Sequence, residues 1–121
     1  MIELRLEIRP KAEHKAEMVN ALWVIMQPAR MESGFAASRI YQEVEDPESL
    51  CYMEEWDTLE QMEQQIRSRR FGSLLTLMET VPHPPVLEIR SISEIRGLDY
   101  ISTLRLGPHP HNGSAGGQFQ I

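Results

Sequence analysis

The side chains best suited to chemistry in this sequence are aromatic. Trp23, Tyr41, Tyr52, Trp56 and Phe71 could together line a pocket for a flat aromatic molecule. Taken singly, each reads more plainly as core packing, because large aromatic side chains bury well. Arg39 stands two residues from Tyr41, which puts both on one face of an extended strand. An arginine there can hold an oxygen anion directly. Its competing reading is an exposed strand charge paired with Glu43 or Glu54. Arg67, Arg69 and Arg70 form a compact basic cluster, either an anion site or the solvated end of a helical turn favoured by the helix dipole. His109-Pro110-His111 suggests a metal, yet two histidines with no placed carboxylate or cysteine make a poor site. No metal is expected.

The elements that must position these groups fit in one domain. The chain has 121 residues, and its 41% hydrophobic content suffices for a real core. A net charge of −6, with no long run of either sign, argues against nucleic acid or an anionic membrane as partner. A small, uncharged or weakly charged ligand suits such a surface better. Cys51 is the only cysteine, so an internal disulfide and a CxxC redox pair are both excluded. The first residues alternate charged and apolar side chains, unlike a signal peptide. No window approaches the roughly 20 apolar residues that span a bilayer. The compartment expected is the cytoplasm.

Hydrophobic periodicity predicts the elements in turn. Ile2, Leu4, Leu6 and Ile8 alternate with charged residues, which predicts a strand over residues 2 to 9. From Lys11 to about Gln27 the apolar stripe Met18, Leu22, Ile25 and Ala29 has helical spacing, ended by Pro28. Ser33-Gly34 is a turn, and strands over 35 to 44 and 50 to 56 form a hairpin around Glu45-Asp46-Pro47-Glu48-Ser49. The hairpin carries apolar side chains on both faces, with Leu50, Tyr52 and Trp56 opposed to Cys51 and Met53. A sheet with helices on one face and a partner or ligand on the other reads this way. Asp57-Thr58 is an N-cap pair for a second helix, whose stripe breaks around Ser68 to Gly72 and resumes to Val81. Val86 to Ile92 is a fourth strand. The order βαββαβ is the ferredoxin-like α+β arrangement. Residues 97 to 106 read as an extra short strand or arm. The Gly-, Pro- and His-containing stretch beyond reads as a tail that a partner subunit would have to hold.

The run from Gly34 to Glu43, the Asp46-Pro47 turn and the Glu54-Glu55-Trp56 strand end resemble the antibiotic biosynthesis monooxygenase family. Leu59, Met62, Ser68 and Phe71 sit where the helix of that family carries similar residues. The resemblance covers residues 1 to about 95, so we divide the chain into a domain over 1 to 96 and an arm over 97 to 121. It implies a dimeric α+β barrel with the two sheets face to face, and a pocket in each subunit between sheet and helices. It further implies oxidation of quinols or related phenolic aromatics by O2, with no cofactor.

In such an enzyme Gln65, Tyr41 and Arg39 are the expected catalytic groups, orienting an oxygen anion. Trp23, Tyr52, Trp56 and Phe71 are the expected substrate contacts. The chain departs from the family at two places: Gln65 and Arg70 stand where relatives often carry histidine. Glutamine cannot exchange a proton near neutral pH, whereas histidine can. The alternative is therefore a non-catalytic, dimeric small-molecule-binding module of the same fold. Haem-degrading relatives share the dimeric fold but need an aromatic residue at position 65 and a ligating histidine further along, where Leu75 stands. Haem is not expected.

Overall fold

A computed structural model describes residues 1–107. Strand β1 (Ile2–Ile8) leads through a short 3-10 turn into helix α1 (Lys15–Met26), which a second 3-10 turn at Gln27–Met31 closes. Strands β2 (Phe35–Gln42) and β3 (Leu50–Trp56) follow, then helices α2 (Leu59–Ile66) and α3 (Arg69–Met78), and strand β4 (Val86–Ser91). The four strands make one antiparallel sheet in the order β2-β3-β1-β4. This is the ferredoxin-like α+β fold read from the sequence.

Alternation in β1 works as the sequence implies. Ile2, Leu4, Leu6 and Ile8 point under the helices and pair in register with Trp56, Glu54, Tyr52 and Leu50 of β3. Met18, Leu22 and Met26 of α1 close over them, joined by Met62, Phe71, Leu74 and Met78 from α2 and α3. The single helical pattern expected over 58 to 81 is two helices, because each half has its own cap. Thr58 accepts the Gln61 amide at 3.2 Å, and Ser68 accepts the Phe71 amide at 3.2 Å. Gly34 turns the chain into β2 with φ +86, a conformation that disfavours any side chain. Its carbonyl takes the Asp57 amide at 2.8 Å, which ties the start of β2 to the end of β3.

Two expectations about surfaces need correction. The second face of the sheet is mainly charged, although Tyr41, Cys51, Met53 and Val86 also lie on it. Glu3, Arg5, Glu7, Arg39, Glu55 and Arg90 crowd it, with ion pairs Arg39–Glu55 at 3.2 Å and Arg90–Glu3 at 4.0 Å. Met53 is buried among them, its cross-strand neighbours being Arg5 and Arg39. The long stems of two arginines can cover apolar surface while their charged ends stay in water, which accounts for the burial of Met53 within a single chain.

The segment expected as a strand or arm after residue 97 is instead a helix, α4 (Leu98–Leu106). It buries none of its residues. Leu98, Ile101, Leu104 and Leu106 are exposed, as are Val86, Leu87 and Ile89 on edge strand β4. Exposed apolar side chains thus line this C-terminal edge, while others, such as Val24, Met31 and Val44, are scattered elsewhere. The tail beyond residue 107, with His109 and His111, lies outside the described residues.

Candidate functional site

Strand β3 alternates Leu50, Tyr52, Glu54 and Trp56 on its helix-facing side, so a glutamate is carried into the core. Glu54 is only 1% exposed. An ionised carboxylate at that depth demands a partner and a full set of donors. Both are supplied. Arg70, in the first turn of α3, grips it with Nη1 at 2.7 Å and Nη2 at 3.1 Å, its own side chain 8% exposed. The Trp56 indole donates at 3.0 Å to one carboxylate oxygen, and the Tyr52 hydroxyl donates to the other. Gln65 of α2 completes the cluster, its Oε1 accepting from Arg70 Nη2 at 3.1 Å.

The electrostatics follow from this packing. Burial alone would lower the pKa of Arg70, but the hydrogen bonds and charge of Glu54 outweigh it and raise the pKa further. Arg70 is therefore a permanent cation. Burial, then the neighbouring Glu54 charge and hydrogen bond, pushes the Tyr52 hydroxyl far above its usual range. The guanidinium spends its end-on fork on Glu54 and one N–H on Gln65. Its Nε–H meets no protein acceptor, and neither does the Oγ of Ser38, which lies opposite Glu54 on β2. A buried cation thus keeps one donor in reserve beside Gln65, able to hold a substrate oxygen.

The residues singled out from sequence separate into two groups. Gln65, Tyr52 and Trp56 meet in the buried cluster, and Phe71 packs in the surrounding core. Trp56 and Tyr52 are wholly buried, and Phe35 packs edge-on against Trp56 at 5.6 Å between ring centroids. Arg39 and Tyr41 lie on the opposite, charged face, Tyr41 being 48% exposed. Arg39 pairs with Glu55, not with Glu43 or Glu54. Trp23 is 52% exposed on the outer side of α1, under the Arg30 guanidinium at 5.4 Å.

Two members of the site are absent from the sequence-based set. Period-two counting puts Glu54 on the same face as Tyr52 and Trp56, which is a signal for a buried charge. Arg70 belongs with it because it occupies one of the positions where relatives often have histidine. Arg67 and Arg69 are both exposed, and only Arg67, at the end of α2, fits the reading of a solvated helix end favoured by the dipole. Arg70 sits at the helix N-terminus, where the dipole disfavours a cation, and Glu54 overrides that cost.

Replacing Arg70→Met strands Glu54 in the core and should cost about 3–5 kcal/mol in urea unfolding. The double variant Glu54→Met/Arg70→Met should recover most of it; equal losses in both would contradict a coupled pair. Tyr52 carries a second expectation. Its folded pKa lies above the unfolded value of 10.0, so its contribution is complete below pH 10 and is lost as pH rises beyond it. The unfolding midpoint should fall more steeply above pH 10 in the parent than in Tyr52→Phe.

Comparison with known proteins places this geometry. Residues 1–73 match the family model described as antibiotic biosynthesis monooxygenase. A conserved protein from Methanosarcina mazei Go1 is 28% identical, with TM-score 0.67, over 74% of this chain and 89% of its own. A Deinococcus radiodurans protein assigned to the antibiotic biosynthesis monooxygenases is 20% identical, with TM-score 0.70, over 80% of this chain and 97% of its own. Rv0793 from Mycobacterium tuberculosis is 12% identical, with TM-score 0.69, over 79% and 98%. The last two show the shared fold. No curated protein matches. The Glu-Glu-Trp strand end, strands β1 to β3 and the caps of both helices thus fall within the matched residues, and the chain belongs to the antibiotic biosynthesis monooxygenase family.

Proposed function

We propose that this protein is a cofactor-independent monooxygenase that oxidises quinols or related phenolic aromatics with O2. The observation that carries the reading is the reserved donor of Arg70, a buried and permanent cation beside Gln65 among packed aromatic side chains. For a quinol, insertion of one oxygen atom gives a hydroxyquinone, and the second oxygen leaves as water. All electrons come from the substrate. The protein has then to orient the substrate oxygen, hold charge developing on it and keep water away. Arg70 Nε–H and the Gln65 amide can do the first two. Neither takes up a proton near neutral pH, so the substrate proton passes to solvent and the rate follows the substrate's own ionisation.

A second reading, a non-catalytic small-molecule-binding module of the same fold, has an observation of its own. Tyr52, Trp56 and Phe71 are packed as solid core, so a substrate can reach Arg70 only if the α2–α3 elbow moves. Oxygen uptake with a reduced naphthoquinone distinguishes the two. The enzyme reading expects at least about tenfold acceleration over oxidation in buffer, with a pH profile that tracks the quinol used. An uptake equal to the buffer's own would end it. Gln65→His is a second probe, since activity gained there would mark a competent scaffold lacking only a base.

The quaternary reading is a homodimer. It draws support from the exposed Val86, Leu87 and Ile89 on the β4 edge and the apolar side chains of α4. A nine-residue helix without packing partners is marginal in water, so association of α4 with a partner subunit would account for it. Light scattering should give twice the chain mass, and the pair Ile101→Lys/Leu104→Lys should shift the protein toward monomer. A monomeric parent at micromolar concentration would refute the dimer.

A further inference from the structure

A groove of about 450 Å³ lies between the start of α1 and the end of α3, within the usual size range of small-molecule sites. It is separate from the buried cluster: Leu77 on its wall is seven residues from Arg70, roughly 10 Å along α3. Its walls are hydrocarbon, chiefly Met18, Ala21, Leu77 and Val81. Its rim is charged. Glu17 is met by His14 Nδ1 at 3.5 Å, whereas the Lys11 ammonium makes no ion pair among the described residues. Pro10 and the 3-10 turn that follows fix the backbone carrying Lys11 and His14.

We propose that this groove binds a small, mainly apolar carboxylate, an aromatic or branched acyl acid, with its hydrocarbon against Met18, Leu77 and Val81 and its carboxylate at Lys11. A neutral apolar molecule would fill the walls and leave the Lys11 charge unused. A cationic one would meet Lys11 at the rim, and the carboxylate of Glu17, the one acid lining the groove, has its side chain 80% exposed with His14 Nδ1 at 3.5 Å. α3 and the turn after it contribute Leu77, Thr80 and Val81, none of them charged, so the charge preference is set from the α1 side alone. The site is independent of the oxygenase reading, because no residue of the Glu54–Arg70 cluster lines it.

The test is an amide NMR titration of the full-length protein with 2-naphthoate, against the neutral 2-naphthalenemethanol as control. Saturable shifts are expected at residues 10–21 and 77–81, at concentrations where the alcohol binds at least threefold more weakly. Lys11→Met should weaken naphthoate three- to fivefold, as an exposed ion pair would. Glu17→Gln should act in the opposite direction and tighten it, and both substitutions are on the exposed rim, so folding is not at stake. Ala21→Phe should fill the groove and abolish the shifts. Equal affinity for the alcohol, shifts centred on residues 52–56 and 65–71, or no shift at millimolar naphthoate would each overturn the proposal.

Discussion

An ionised carboxylate cannot be left alone in a protein core, and much of this molecule is arranged around that constraint. Glu54 sits on an inner strand of the sheet, with Leu4 on one flank and Ser38 on the other. Satisfying it draws in β3 itself through Tyr52 and Trp56, and α3 through Arg70. The break between α2 and α3 has a consequence here. By ending one helix at Ile66 and restarting at Arg69 with Ser68 as cap, the chain brings Arg70 onto Glu54 and Gln65 onto Arg70. A continuous helix would set residues 65 and 70 about 140° apart around its axis, pointing the two side chains away from one another.

The same cluster sets the chemical character of the interior. Glutamine and arginine at positions 65 and 70 leave the site with strong hydrogen-bond donors and a fixed positive charge, but with nothing that exchanges protons near neutrality. Tyr52 is held in its neutral form by burial and by Glu54. The interior can therefore orient and stabilise a charge far better than it can move a proton. The proposed oxygenase chemistry would rely on a substrate acidic and reducing enough to supply its own proton and electrons, as quinols are.

The surface divides in an unexpected way. The open sheet face, which a face-to-face partner would cover, is a lattice of alternating charge with one methionine enclosed by arginine stems. A run of exposed apolar side chains lies toward the other end of the chain, on β4 and α4. Glutamates and arginines in opposing registers can meet a symmetric copy through paired charges, whereas exposed leucines and isoleucines gain only by being covered. Any assembly of this protein has both kinds of surface to use.

The order and type of the main elements were legible from residues alone, because alternation in β1, the turn residues bounding the β2–β3 hairpin and the helical stripe of α1 are local patterns. They need only a few neighbouring side chains to declare a buried face. The caps at Thr58 and the turns at Gly34 and Asp46-Pro47 are equally local, and with the Glu-Glu-Trp strand end they were enough for the family. Tertiary packing decided the rest. Trp23 and Trp56 look alike in sequence, yet one lies outside a helix and the other under a sheet. Arg39 and Tyr41 share a face, but the register of β2 turns that face away from the buried cluster. The partner of Glu54 lies sixteen residues away on another element. Periodicity states which side of a strand is buried; which cation meets a carboxylate there depends on how helix and sheet pack, and no short window of sequence holds that information.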